Sequence, residues 1–308
     1  MKYSFVLPAY KATYLKQAID SILSQTYKEY ELIIVNDASP EDIDAIIDSY
    51  NDDRIRYYVN SENIGGKDLV AQWNHSISYA SGEYLILASD DDIYSSTFLE
   101  DMDLLVEKYP NVGVFRPRVQ EIDKDGKIIS TEGDLQEYMS QILFTELWVQ
   151  GLVKRYVPEY IFKRKNLEEI GGFIKFPLAW FSDDATVIEL AKDGIVLCEK
   201  VLFSFRNSGL NISSLNNNHR QLVQKCTATV QFYEWLERMS CNMQPSSAME
   251  SQMLARIREF SNYRKIDHLV WLMKGSGVYV RMSVINYIYR NRLVSRIELL
   301  KILYRLFI

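Results

Sequence analysis

The stretch Tyr30-Glu31-Leu32-Ile33-Ile34-Val35-Asn36-Asp37-Ala38-Ser39 decides the fold. Leu32-Ile33-Ile34-Val35 is an unbroken apolar run without the alternation of a strand that has one wet face. It reads as a strand buried on both sides, the kind that parallel sheets contain. Upstream, Ser4-Phe5-Val6-Leu7 is a second short apolar strand, closed by Pro8. Between the two, Leu15, Ala18, Ile19, Ile22 and Leu23 fall at i, i+3, i+4, i+7 and i+8, which predicts a helix over 14–25. Downstream, Ile43, Ile46 and Ile47 give a helix over 41–50, followed by a strand over 55–59 and a helix over 68–80. Gly82-Glu83 then leads into a fourth strand, Tyr84-Leu85-Ile86-Leu87-Ala88. Strands separated by helices imply right-handed βαβ units and a mostly parallel sheet.

Further along, the regularity loosens. The pattern predicts a helix over 96–109 ended by Pro110, a hairpin around Asp125-Gly126, a strand over 160–163 and a helix over 184–192 stopped by Gly194. From about residue 219 only helical patterns remain, over 221–238, 248–260 and 281–307. The expected organisation is an α/β core in two halves, 1–105 and 106–215, followed by a helical region over 216–308.

Composition narrows the class. Of 308 residues, 47% are hydrophobic, which excludes disorder as the main state. Acids outnumber bases 41 to 35, for a net charge of −6, the wrong sign for a general nucleic-acid binder. No apolar run approaches the ~18 residues of a membrane span, and the first residues lack the apolar core of a secretory signal. Cys198, Cys226 and Cys241 show no CxxC spacing, which argues against a disulfide framework or a zinc site and for a reducing compartment. A soluble cytosolic protein is expected.

In an open α/β sheet, ligands bind beyond the carboxyl ends of the strands. Asp37 lies there after one strand and Asp90-Asp91-Asp92 after another. Two unit charges about 4 Å apart interact by ~1 kcal/mol in water and ~4 kcal/mol at an effective dielectric of 20. The triplet therefore reads in two ways: as oxygen ligands of a divalent cation, or as favourable negative charge before the helix near Ser96. Asp37 alone equally suits a turn. Asp183-Asp184 opens a helix, where it is a good cap. A partly buried carboxylate there also suits a general base.

Together these segments resemble the family-2 glycosyltransferases, inverting enzymes of the GT-A fold. The resemblance runs through Ser4-Phe5-Val6-Leu7-Pro8-Ala9-Tyr10, Gln25-Thr26-Tyr27, the 30–39 stretch and Asn63-Ile64-Gly65. It continues through Ala80-Ser81-Gly82-Glu83-Tyr84, Asp90-Asp91-Asp92-Ile93-Tyr94 and Ile170-Gly171-Gly172-Phe173. It covers residues 1 to about 215 and implies a Rossmann-like, mostly parallel sheet flanked by helices. It further implies that Pro8, Ala9 and Tyr10 border a nucleotide and that Asp37 accepts a hydrogen bond from its base, most often uracil. Asp91 is implied as the metal-binding carboxylate for Mn²⁺ or Mg²⁺, with Asp90 and Asp92 at the ribose or sugar and the metal's shell. Asn63 and Lys67 fall where the diphosphate is contacted, and Arg206 where a base approaches the leaving diphosphate. Asp184 is implied as the catalytic base, with Asp183 as the second candidate.

The chain departs from the pattern in three places. A longer segment with Trp73-Asn74 replaces a short Ala-Arg-Asn run, Asp-Asp replaces the commoner Glu-Asp, and a bare Asp triplet stands for Asp-Ala-Asp-Asp. The expected activity is metal-dependent, inverting transfer from a UDP-sugar to a saccharide or lipid-linked acceptor in bacterial surface polysaccharide synthesis. A nucleotidyltransferase is the alternative enzyme, although Pro8-Ala9-Tyr10-Lys11-Ala12 is no Gly-rich phosphate loop. A catalytically silent nucleotide- or sugar-binding subunit is the third reading. From Lys274 to Arg305 seven bases accompany one acid, Glu298, and Val294, Ile297, Leu300, Leu303, Tyr304 and Phe307 keep helical spacing. This basic amphipathic segment fits either peripheral contact with the inner face of the cell membrane or packing on protein, including a second copy of the chain.

Overall fold

All seven residues of the strand Tyr30–Asn36 are buried, as its two-sided apolar run requires. The computed structural model describes residues 1–209 and 219–307. Part of the segment expected at 207–213 therefore lies outside the described residues. In chain order the elements are β1 (Tyr3–Ala9), α1 (Leu15–Leu23), β2 (Tyr30–Asn36), α2 (Ile43–Ile47), β3 (Ile55–Val59), α3 (Leu69–Ile77), β4 (Tyr84–Leu87), β5 (Ile93–Tyr94) and α4 (Phe98–Lys108). There follow β6 (Val114–Asp123), β7 (Ile128–Thr131), β8 (Tyr138–Met139), α5 (Gln141–Gln150), β9 (Ile161–Lys163), α6 (Arg164–Glu169), α7 (Ser182–Leu190) and β10 (Ile195–Asn207). The last helices are α8 (His219–Asn242), α9 (Ala248–Lys274), α10 (Val278–Arg290) and α11 (Arg296–Phe307).

The chain divides into two compact units. The first comprises Met1–Gln141, Val153–Ile174 and Thr186–Ser208 and holds one sheet in the order β3-β2-β1-β4-β9-β6-β10-β5, with β7 on β6 and β8 on β10. The β1–β2, β2–β3, β1–β4 and β6–β10 pairs are parallel, whereas β9 runs antiparallel between β4 and β6. The expected halves 1–105 and 106–215 thus share a single sheet. Strand order steps outward from β1 to β2 and β3 on one side, then returns to β4 on the other. That reversal is a topological switch point, the place where open α/β sheets bind their ligands. Phe5, Leu7, Leu32 and Ile34 on the strands, with Leu15, Ile19 and Ile22 of α1, are each fully buried in its core. Each such side chain contributes about 1.5–3 kcal/mol.

The second unit comprises Ile142–Leu152, Lys175–Ala185 and Gly209–Ile308. Its core joins Leu222, Cys226 and Val230 of α8 to Leu269 and Met273 of α9, Ile285 and Ile288 of α10, and Ile302 and Leu306 of α11. The single helix expected over 281–307 is two. Leu293 N donates to Ile288 O at 2.9 Å and Arg292 N to Tyr289 O at 3.0 Å, with Arg292 in the left-handed region at φ 55°. This is a Schellman stop. Ser295 and Glu298 then start α11 as a capping box, with Ser295 N donating to Glu298 Oε2 at 2.7 Å and Glu298 N to Ser295 Oγ at 3.3 Å.

Candidate active site

The first unit's acidic groups gather at the switch point. Beyond β1, the amides of Tyr10 and Lys11 donate to Asp90 Oδ2 at 3.0 and 2.8 Å. The carboxylate that follows β4 is thereby tied to the end of its neighbouring strand. Ala9 is buried at that end, and Tyr10 exposes 41% of its surface. Asp37 follows β2, and its amide donates to Ala9 O at 3.0 Å. Asp37 Oδ1 accepts from Asn60 Nδ2 at 2.8 Å and Ile64 N at 2.9 Å, and Oδ2 accepts from Gly65 N at 2.7 Å. A β-carbon on Gly65 would stand 2.9 Å from that oxygen, so only glycine lets the amide come so close. Asn63 shapes this loop by accepting the Gly66 amide. Lys67 pairs with Glu62 at 2.5 Å on the open surface.

Three consecutive aspartates have three different environments. Asp92, 1% exposed, accepts the Arg206 amide at 2.7 Å on one oxygen and the Ser89 hydroxyl on the other. Expected as a second metal ligand, it accepts one protein hydrogen bond on each oxygen and ties the turn to β10. Burial, then the neighbouring Asp91, holds its carboxyl well above the usual carboxylate range. Asp90 is also shifted upward by burial, against the opposing amides of Lys11 and Tyr10. Asp91 is pushed up to about 6 by burial and by the charge of Asp90, with Lys11, Ser89 and Arg206 pulling the other way.

Arg206, expected near the leaving diphosphate, has a side chain that is 1% exposed and bonded within the protein. Nε donates to Asp91 O at 2.9 Å and Nη2 to Gln17 Oε1 at 2.8 Å, while Nη1 reaches the carbonyls of Asp123 and Lys124 at 3.4 and 3.3 Å. Its guanidinium lies 4.3 Å from the ring centre of Tyr14. It is an internal brace joining the acidic turn, α1 and the β6–β7 hairpin.

The carbonyl and carboxylate oxygens at this turn suit a hard cation such as Mg²⁺ or Mn²⁺. Among the described residues no three His, Cys, Asp or Glu side chains form a metal shell. A cation here would take Asp91 as its protein carboxylate and need further oxygens from a ligand. The upward-shifted Asp91 carboxyl fits that arrangement, since a nearby positive charge would favour its ionised form.

Asp183 and Asp184 belong to the second unit, in the first turn of α7, where the helix dipole favours negative charge. Both are partly exposed. Trp148 of α5, buried, donates its indole N–H to Asp184 Oδ1 at 2.6 Å and so orients that carboxylate. The approach to α7 is strained, because Leu178, Ala179 and Phe181 have φ of 57°, 55° and 68° without being glycine. Phe176 N donates to Ser182 Oγ at 3.0 Å and fixes the entry.

Asn60, Ser89 and Trp148 are the supporting residues that the pattern reading missed. Only Ser89 lies close in sequence to the group it serves, three positions before Asp92. His75 meets Asn60 Oδ1 through Nε2 at 3.2 Å and so backs the Asp37 cluster. His219 Nε2 lies 2.9 Å from Ser283 Oγ in the second unit.

An open α/β sheet with its acidic groups at the switch point defines a nucleotide-binding class of fold. The particular family is decided by the comparisons with known proteins. The family model described as glycosyl transferase family 2 matches residues 4–171, and the chain belongs to this family. An uncharacterized glycosyltransferase of Rickettsia typhi is 37% identical over 112 residues, which are 36% of this chain and 34% of that protein. Glycosyltransferase GlyG of Streptococcus pneumoniae is 33% identical over 120 residues, covering 35% of this chain and 39% of GlyG. The matched segment therefore spans little more than a third of either curated relative. Among solved structures, S. aureus TarS 1-349 in complex with UDP-GlcNAc aligns over 99% of this chain and 89% of that one, at a TM-score of 0.63 and 17% identity. The mannosyltransferase PcManGT of Pyrobaculum calidifontis, in complex with GDP-Man and Mn²⁺, aligns over 98% and 79% at a TM-score of 0.55 and 13% identity. Both share the fold. No helix among the described residues is long and apolar enough to cross a membrane.

Proposed function

We propose that the protein transfers a sugar from a nucleotide diphosphate sugar, a UDP-sugar in the first instance, to a hydroxyl of a saccharide or lipid-linked acceptor. The anomeric configuration inverts, and the product belongs to a surface polysaccharide or glycolipid. The reading rests on one observation above all: the acidic turn after β4 is bonded to the end of β1 at the switch point of the sheet. Family membership and the UDP-GlcNAc held by a protein of the same fold support it.

In this reading, the Asp37 cluster receives the base of the nucleotide. Its carboxylate has up to about four acceptor positions, three of them met by Asn60, Ile64 and Gly65, which leaves capacity for one imide N–H. Pro8, Ala9 and the exposed ring of Tyr10 line the approach, with Asn63 and Lys67 on the diphosphate side. Asp91 would hold Mn²⁺ or Mg²⁺, which when bound neutralises charge on the diphosphate. Asp90, Asp92 and Arg206 hold that turn in place. Asp184, oriented by Trp148, takes the proton of the acceptor hydroxyl as its oxygen bonds to the anomeric carbon. The bond from that carbon to the phosphate oxygen breaks, and its electron pair leaves with the diphosphate. One displacement of this kind inverts the centre.

The test is Asp184→Asn, assayed with a panel of nucleotide sugars in Mn²⁺ or Mg²⁺. Turnover should fall about 10²–10⁴-fold, with donor affinity unchanged, and Asp183→Asn should cost far less. Turnover that survives Asp184→Asn with inverted product would remove Asp184 from the role.

A further inference from the structure

The last helix has two apolar faces, and only one is used by the fold. Ile302 and Leu306 are buried in the core of the second unit, with Leu299 and Leu303 packed against it. Ile297, Leu300, Tyr304 and Phe307 stand outside, 68%, 67%, 63% and 45% exposed. At about 100° per residue these four fall in one sector of roughly 80°. Arg296 and Lys301, both exposed, border that sector on either side.

The charges are sorted as well. Glu298, the one acid from Lys274 onward, pairs inward with Lys265 at 2.5 Å. Arg305 pairs with Asp267, and Arg281 caps the end of α9 by donating to Met273 O, Lys274 O and Ser276 O. Arg290, Arg292, Arg296 and Lys301 remain exposed. An apolar ridge with basic flanks and no acid matches one surface chemically, a bilayer with anionic headgroups: the ridge enters the acyl boundary while the bases meet phosphates. A second copy is a poorer match, since self-complementary pairing would set like charges against each other.

We infer that the outward face of α11 seats the protein on an anionic lipid surface. Tyr304 and Phe307 sit at the headgroup boundary, and Arg296 and Lys301 bind the lipid phosphates. The surface is independent of the donor chemistry.

Sedimentation of the full chain with phosphatidylcholine vesicles, with and without about 30 mole per cent phosphatidylglycerol, tests this. Binding is expected only to the anionic vesicles and should fade in about 0.5 M salt. Arg296→Gln with Lys301→Gln should lower the partition coefficient about fivefold per base removed, or roughly 25-fold together. Leu300→Ser with Tyr304→Ser should abolish binding, with far-ultraviolet circular dichroism unchanged because both side chains point outward. Should that pair disturb folding, the charge variant, confined to exposed positions, decides alone. Equal binding to neutral vesicles, no binding at all, or variants that sediment like the parent would each overturn the inference. So would a concentration-dependent dimer that Leu300→Ser with Tyr304→Ser dissolves while no vesicle is bound, which would give the face to a second copy.

Discussion

Replacing Arg206 by glutamine separates two roles for an arginine at this position. As a diphosphate contact, it would matter to turnover and little to the ligand-free fold. As an internal brace, it must matter to the fold first. The brace makes two well-formed hydrogen bonds, to Asp91 O at 2.9 Å and Gln17 Oε1 at 2.8 Å, and two longer ones to the hairpin carbonyls of Asp123 and Lys124. Hydrogen bonds from a charged donor contribute about 1.5–3 kcal/mol each, and the cation–π contact with Tyr14 adds about 1 kcal/mol. The long pair is discounted, and some abandoned oxygens gain water, so the expected loss is about 3–5 kcal/mol. At roughly 2–4 °C per kcal/mol, the ligand-free chain should melt about 6–20 °C lower. Arg206→Lys keeps the charge but has one point donor in place of a planar fork, so it should recover less than half of the loss. The assay is thermal unfolding of the ligand-free variants by circular dichroism, run beside donor titration. An Arg206→Gln chain that melts within about 1 °C of the parent yet has lost turnover would refute the brace and return the guanidinium to the diphosphate.

Three further outcomes follow from the geometry. Gly65→Ala would drive a β-carbon to 2.9 Å from Asp37 Oδ2 and displace the loop that presents the Ile64 and Gly65 amides, so UDP-sugar affinity by calorimetry should fall about tenfold with a small change in stability. Burial would raise the carboxyl of Glu31, but bonds from Ser4, Ser81 and Arg56 outweigh it and hold the group down to about 2, against an ordinary 4.5. Its contribution is therefore present above pH 4.5 and lost as pH falls toward 2, and Glu31→Gln should flatten the acid limb of stability measured by urea unfolding. Burial lowers the Lys225 ammonium to about 8 from 10.5, its Nζ lying 4.6 Å from the ring centre of Trp180. The folded state then holds fewer protons than the unfolded one between pH 8 and 10.5, so this group makes stability rise with pH across that window, and Lys225→Met should remove the rise.

The first half of the sheet was legible because its strands are apolar on both faces and its helices on one. Elements without such contrast were not. α5 carries Ile142, Phe144, Thr145, Glu146, Trp148 and Val149 all buried, so no single stripe marks it as a helix. With α5 unread, the bond from Trp148 to Asp184 could not be foreseen. The pattern of β10 is interrupted by exposed Glu199-Lys200, where its register against β6 shifts. By contrast, Ser295-Arg296-Ile297-Glu298 is a capping box written in the sequence, and it divides the pattern over 281–307 into two helices. Local chemistry of that kind can be read. The separate fates of Asp90, Asp91 and Asp92 cannot, because they are set by amides of Tyr10, Lys11 and Arg206, 79 to 114 positions away.

Those fates explain why three adjacent acids are tolerated. Burial pushes all three carboxyls upward, and repulsion from a neighbouring aspartate adds to it at Asp91 and Asp92, so full ionisation of the triplet is unfavourable in the bare protein. Two of the three are compensated by fixed amides, Asp90 from the β1 side and Asp92 from β10, and these bonds define the turn before any ligand arrives. Asp91 sits between them with its backbone oxygen clamped by Arg206, so its carboxyl is held in position while its charge stays costly. On the proposed reading a cation would lower that cost, and a diphosphate would supply the oxygens that the protein does not gather among its described side chains. Metal and donor would therefore each strengthen the binding of the other, by the same factor in both directions. Donor affinity that is the same with and without Mn²⁺ or Mg²⁺ would show that no such coupling exists and would refute this account of the turn.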